Sequence, residues 1–154
     1  MSNLDDLYRE IILDHYRSPR NRGELPVPPA VRVDGFNPLC GDEISIYLDV
    51  HDHTLANLKM TGHGCSISQA SSSLMSTAVK GKSLEDVRTT IDTFRQLMTV
   101  HEATLEHDGE PAKVDLRALG ELAALQGVVK FPVRIKCAML SWNTLSEGLD
   151  EGTQ

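Results

Sequence analysis

The feature that most constrains the fold is a change of hydrophobic periodicity at Gly62-His63-Gly64. In roughly the thirty residues directly before this segment, apolar side chains follow the short spacing of β-strands, whereas after it they recur every three or four positions, as in a helix. A chain that switches from strands to helices has to pack a sheet against helices to bury both. We therefore expect an α+β fold, with Cys65 directly after the junction.

Three strands are predicted upstream of this junction. Residues 44–50 and 55–60 are rich in β-branched and large apolar side chains, and His51-Asp52-His53 separates them as a turn. Val31 and Val33 indicate a third strand. The expected architecture is a small three-stranded antiparallel sheet packed against several helices.

Helices are predicted before and after the strands in the sequence. An amphipathic pattern begins at Leu4 and ends before Ser18-Pro19, and a connector rich in Pro, Arg, Asn and Gly follows over residues 19–29. The apolar face of the first helix consists of Leu4, Leu7, Tyr8, Ile11, Ile12, His15 and Tyr16.

The second half of the chain contains further helical patterns. A serine-rich helix follows Cys65, and Ser83 with Asp86 forms an S-x-x-D capping box before another. A short helix is predicted over residues 115–125, where leucines recur at 116, 119, 122 and 125. Pro132 is placed to open the last helix, which should run to about Gly148.

Length and charge limit the classes of function. A chain of 154 residues fits one domain over 1–154, and it has no apolar run near the roughly 18 residues that a membrane span needs. The net charge is −7 and the 15 basic residues are scattered, which argues against nucleic-acid binding. The N-terminus lacks the pattern of a secretory signal, so we expect a cytoplasmic protein without membrane or nucleic-acid partners.

Cys40-Gly41-Asp42 is the first candidate site. Side chains two positions apart on an extended chain project to the same side, so Cys40 and Asp42 are able to share one ion. The alternative is a strand start with a solvated aspartate.

The other two cysteines also lie where a thiolate is favoured. Cys65 follows the glycine-rich junction at the start of a helix, whose amides and dipole attract negative charge. Cys137 is predicted in the first turn of the last helix, where the positive charges of Arg134 and Lys136 favour a thiolate. For each cysteine, packing as a small buried hydrophobe is the alternative.

Taken together, the three cysteines and Asp42 form a four-ligand set. Three cytosolic thiols cannot all pair as disulfides and more often serve as metal ligands or reactive groups. Three sulfurs and one carboxylate suit a tetrahedral zinc ion. The sequence thus predicts a zinc site at Cys40, Asp42, Cys65 and Cys137.

Four charged or titratable residues near these motifs carry two interpretations each. His15 is expected to be a packed, hydrogen-bonded histidine rather than a ligand, and His63 a strand-end histidine rather than a substitute ligand. Arg134 is a possible partner of Asp42 or of a cysteine thiolate that has been released from the metal, and a solvated arginine at a helix end is the alternative. Lys136 carries the same ambiguity.

At these motifs the sequence resembles the U-type iron–sulfur assembly proteins, and among them the SufU-like, zinc-dependent sulfurtransferases. The likeness covers nearly the whole chain. It is carried by residues 10–16 with Pro19, by Asn37-Pro38-Leu39-Cys40-Gly41-Asp42, by Gly64-Cys65-Ser66-Ile67-Ser68 and by Arg134-Ile135-Lys136-Cys137-Ala138 with Trp142. It implies a SufE/IscU-like fold.

Two departures separate the chain from the IscU-type cluster scaffolds of that family. The scaffolds have a histidine immediately before the last cysteine, where this chain has Lys136. Their Leu-Pro-Pro-Val-Lys chaperone-binding segment is replaced by residues 131–135, and the stretch over 102–128 matches an extra segment of SufU-like chains. A dedicated Hsp70-type partner is therefore not implied.

The resemblance implies a persulfide-transfer function. Cys40 would accept sulfur from a cysteine desulfurase of the SufS type, while Asp42, Cys65 and Cys137 hold zinc, and the sulfur would pass to a cluster scaffold such as a SufBCD-type complex. The runner-up is an IscU-type scaffold on which a cluster forms, since the same ligands bind iron. A third possibility is an adaptor protein with structural zinc and no sulfur chemistry.

Overall fold

The computed structural model describes residues 3–38, 41–106, 120–130 and 132–152, and within them it has three strands and five helices. One of the helices is a 3₁₀ helix. The order along the chain is α1 (Asn3–Arg17), β1 (Val31–Asn37), β2 (Asp42–His51), β3 (Thr54–His63), α2 (Ser66–Val79), α3 (Leu84–Glu106), the 3₁₀ helix (Gly120–Lys130) and α4 (Pro132–Gly152).

The sheet has the order β1-β2-β3 with both pairings antiparallel, which confirms the predicted α+β architecture. Asp52 and His53 form a two-residue turn between β2 and β3, both with positive φ, as the twist of a tight hairpin requires. At the opposite end of β2, Asn37 pairs with Asp42. This end of the sheet carries the first predicted site motif.

One face of the sheet packs against helices and carries the core. Val33, Ile46 and Leu58 on neighbouring strands are buried on this face. Helix α4 crosses β1 and β2 so closely that a Cβ added at Gly148 would lie 2.8 Å from Val33 Cγ1. The absence of a side chain at Gly148 therefore lets the backbone of α4 lie directly against side chains of the sheet.

Helix α1 has the predicted bounds, but its apolar face is only partly buried. It packs against α2 and the 3₁₀ helix, which cover Tyr8, Ile11 and Ile12. Leu7 and Tyr16 belong to the predicted apolar face but are exposed, because no described element covers that edge of the helix.

The packed-histidine interpretation of His15 is confirmed. Its ring is buried, with Nδ1 2.7 Å from Ser73 Oγ and Nε2 3.0 Å from Glu121 Oε2. The Ser73 hydroxyl also accepts a hydrogen bond from the Arg20 amide at 2.9 Å. These contacts join α1, the connector, α2 and the 3₁₀ helix.

The capping residue predicted for α3 is in place, because Asp86 N–H donates to Ser83 Oγ at 3.1 Å. Helix α4 begins at Pro132 as predicted and continues four residues past Gly148. No helix among the described residues is both long and apolar enough to cross a bilayer.

The short helix predicted over 115–125 is confirmed for residues 120–125, where it is a 3₁₀ helix. Residues 115–119 lie outside the described residues, and the structure has a 3₁₀ helix over Gly120–Lys130. A constant leucine spacing of three matches the 3.0 residues per turn of a 3₁₀ helix better than the 3.6 of an α-helix.

Candidate metal centre

Asp42 lies at the first position of β2 and is fully buried. Its Oδ1 accepts a hydrogen bond from the Cys65 amide at 2.9 Å. Its Oδ2 is buried and has no hydrogen-bond partner among the described residues. An ionised oxygen left in this state is costly unless a cation compensates it, so the oxygen is available as a metal ligand.

Cys65 caps the N-terminus of α2. Its backbone is extended, with φ −69° and ψ 168°, and its Sγ accepts a hydrogen bond from the Ser68 amide at 3.5 Å. The half-buried sulfur therefore lies at the strand-to-helix junction that the sequence predicts. It is beside the Asp42 carboxylate, because the Cys65 amide donates to Asp42 Oδ1.

The sequence predicts Cys137 in the first turn of the last helix, but the residue lies buried in the second turn of α4, because the helix begins at Pro132. Its thiol donates to the Val133 carbonyl at 3.6 Å. Arg134 and Lys136 are exposed, so the helix directs these sequence neighbours to solvent while Cys137 points inward.

The three side chains converge from different elements. One ligand atom from each of Asp42, Cys65 and Cys137 lies within 4.8 Å of the others. Two sulfurs and a buried carboxylate oxygen without a hydrogen-bond partner in the described chain form a donor set that suits zinc, and it also suits iron. The arrangement fits one metal ion held by β2, α2 and α4.

The remaining predicted site residue, Cys40, lies outside the described residues. It precedes Asp42 by two positions in the sequence. His63 ends β3 with its side chain 71% exposed, 3.7 Å from Glu43 Oε2, and it is not part of the three-residue cluster. The strand-end interpretation of His63 is confirmed.

Gly64 is a site residue whose role sequence reasoning did not identify. A Cβ added there would lie 2.8 Å from Asp42 Cγ, so the carboxylate occupies the space that any side chain at position 64 would need. The glycine-rich junction was visible in the sequence. That its second glycine makes room for Asp42 became visible only from the packing.

We expect Gly64→Ala to weaken zinc binding by about 10- to 100-fold, the range typical of groups that orient ligands. The added methyl group would push the Asp42 carboxylate away from the two sulfurs. Competition with a chromogenic chelator measures the change. His63→Ala is the matched control, because it alters the preceding, exposed residue and should bind zinc like the parent. Equal affinity of all three proteins would contradict this role of Gly64.

Comparisons with known proteins give a consistent family. Residues 7–138 match the family described as the NifU-like N terminal domain. The chain is 43% identical over 148 residues to the zinc-dependent sulfurtransferase SufU of Bacillus subtilis, covering 96% of this chain and 92% of that protein. It is 38% identical over 149 residues to the iron–sulfur cluster assembly scaffold protein IscU of Streptococcus pyogenes, covering 97% and 86%.

A solved structure has the same fold. It is the crystal structure of a protein from Fervidobacterium islandicum, described as an iron–sulfur cluster assembly scaffold for the SUF system. The two structures superpose with a TM-score of 0.76 at 28% identity, over 89% of this chain and 92% of the other.

Proposed function

Because this chain belongs to the NifU-like N-terminal domain family of iron–sulfur cluster assembly proteins, we propose that it is a zinc-dependent sulfurtransferase. In this proposal Cys40 accepts persulfide sulfur from a cysteine desulfurase of the SufS type. The observation that carries it is the convergence of ligand atoms from Asp42, Cys65 and Cys137, together with the buried Asp42 Oδ2 that has no hydrogen-bond partner among the described residues.

Zinc is proposed as the resident ion, with Cys40 as the fourth ligand beside the three described ones. Bound zinc would keep the thiols deprotonated at neutral pH. The exposed Lys136 supports transfer over scaffolding, since a lysine stands where an additional ligand would precede Cys137 in the scaffold branch. The similarity to SufU of B. subtilis supports the same choice.

The proposed transfer is a displacement at sulfur. On docking, the desulfurase would supply a histidine to the metal in place of Cys40. The freed Cys40 thiolate would then attack the outer sulfur of the desulfurase persulfide, so that a new S–S bond forms at Cys40 and the old S–S bond breaks. The desulfurase cysteine leaves as a thiolate, so no electrons are gained or lost overall. Asp42, Cys65 and Cys137 remain in place as the fixed part of the site during this exchange.

Exposed apolar side chains near the site support docking of a protein partner. Phe36 is 58% exposed and precedes Asn37, the strand partner of Asp42. Val133 is 60% exposed and lies one turn before Cys137, whose thiol contacts its carbonyl. Large apolar residues that stay exposed beside a reactive site are typical of interaction surfaces.

We expect Phe36→Glu to reduce stimulation of the desulfurase by about 10-fold or more, the loss of a central apolar contact at an interface. Zinc content should be unchanged because Phe36 points away from the buried face of β1. Val27→Glu is the matched control: Val27 is 54% exposed and precedes the far end of β1. If both variants stimulate like the parent, Phe36 does not contact the desulfurase.

The proposed function is tested by desulfurase turnover with and without this protein, together with its metal content. We expect a colourless protein with one zinc per chain that raises turnover of a SufS-type desulfurase. Brown protein with iron and sulfide would favour the scaffold alternative, for which the similarity to IscU of S. pyogenes is the supporting observation. Zinc without stimulation would favour a structural adaptor.

The proposed place of this reaction is the cytoplasm, where the thiols stay reduced and metal sites of this kind persist. The sulfur on Cys40 would pass to a scaffold such as a SufBCD-type complex. Loss of sulfur from the persulfidated protein on mixing with that complex, with recovery of the free thiol, is the expected result.

A further inference from the structure

We propose that Ser71 is a positioning residue for the metal centre, because its hydroxyl fixes helix α2, which starts after Cys65, to helix α4, which carries Cys137. The inference rests on the metal site of the proposed function. The hydrogen bonds of the Ser71 side chain are to Ala138 and Trp142 and not to a ligand side chain. Its basis is a buried hydrogen-bond bridge between the two helices.

The bridge uses both hydrogen-bonding capacities of the Ser71 hydroxyl. Ser71 Oγ donates to the Ala138 carbonyl at 2.7 Å and accepts from Trp142 Nε1 at 3.1 Å. Ser71, Ala138 and Trp142 are all fully buried. In such a low-dielectric environment a satisfied hydrogen bond holds its partners firmly, and a lost one leaves a costly unpaired group.

The bridge joins the same two helices that carry the cysteine ligands. Ala138 is the residue after Cys137, and Ser71 is six residues after Cys65 on the helix that Cys65 caps. A shift between α2 and α4 at this level therefore changes the separation of the two sulfurs. Trp142 is itself fixed, since its ring stacks on Phe94 of α3 with centroids 4.2 Å apart.

The neighbouring buried serine of α2 has a different role. Ser72 Oγ donates to the carbonyls of Ser68 and Gln69. These bonds stay within α2, where such back-bonding leaves the contact between helices unaffected. Ser72 thus offers a matched control one position from Ser71.

The test compares Ser71→Ala with Ser72→Ala at a temperature at which both are folded. We expect about 10-fold weaker zinc binding for Ser71→Ala in chelator competition, at the lower end of the effect of groups that support ligands. Cobalt(II) in place of zinc should show shifted ligand-field and sulfur-to-cobalt bands. Ser72→Ala should match the parent in affinity and spectrum, whatever its melting temperature.

A second variant keeps the test decisive if Ser71→Ala does not fold. Trp142→Phe removes the Nε1 donor while retaining an aromatic ring opposite Phe94. We expect it to change the cobalt spectrum in the same direction and by less, because the Ser71 to Ala138 bond remains. Ser71→Ala that binds like Ser72→Ala, or an unchanged Trp142→Phe spectrum when Ser71→Ala cannot be made, would overturn the proposal.

Failure of this inference is distinguishable from failure of the proposed function. A parent protein that binds one zinc while both serine variants behave alike would remove Ser71 from the account and leave the metal centre intact. A parent protein that binds neither zinc nor cobalt would overturn the proposed function and this inference together.

Discussion

Cys137→Ser is expected to lose zinc and to melt about 5 to 11 °C below the parent protein. The Cys137 sulfur is buried and lies within 4.8 Å of ligand atoms of Asp42 and Cys65, so its loss removes a ligand that joins α4 to β2 and α2. Binding that requires the folded state stabilises that state, by about 2.7 kcal/mol when free metal is at 100 times its Kd.

Differential scanning calorimetry with and without a strong chelator measures this effect. The chelator should lower the melting temperature of the parent to that of Cys137→Ser and leave the variant unchanged. Ser141→Ala is the matched control, because Ser141 is buried one turn further along α4 and its hydroxyl has no hydrogen-bond partner in the described chain. A Cys137→Ser protein that retains zinc and melts with the parent would contradict the shared site.

The sheet was predictable because its hydrophobic residues follow strand periodicity between clear turn signals. The hairpin of β2 and β3 and the strand-to-helix change after Gly64 are confirmed. Local pattern was enough here, since each strand pairs with its neighbour in the sequence.

Helix burial was less predictable, because it depends on which elements meet. Leu7 and Tyr16 match the apolar face of α1 yet remain exposed, whereas five of the six serines of α2 are buried. Ser73 is buried because His15 and the Arg20 amide contact its hydroxyl, and these partners lie more than 50 positions away. No local pattern encodes such pairings.

The site was predictable in its residue types and less so in its support. Asp42, Cys65 and Cys137 were recognised from local chemistry, and the structure brings them together. The space that Gly64 leaves for Asp42 and the Ser71 bridge depend on distances across elements. Cys40 lies outside the described residues, so its role stays a prediction.

The second large effect is expected for Cys40→Ser, which should abolish sulfur transfer while the fold survives. Serine has nearly the same shape as cysteine but cannot hold a persulfide. Asp42, Cys65 and Cys137 remain to hold zinc, with water as the fourth ligand. We therefore expect retained zinc, a melting temperature near that of the parent, and no stimulation of the desulfurase.

Mass spectrometry after incubation with desulfurase and cysteine tests whether Cys40 is the sulfur acceptor. We expect the parent to gain about 32 Da, one sulfur atom, mapped to Cys40, and Cys40→Ser to gain none. Persulfide mapped only to Cys65 or Cys137, or full desulfurase stimulation by Cys40→Ser, would contradict the role of Cys40 as sulfur acceptor.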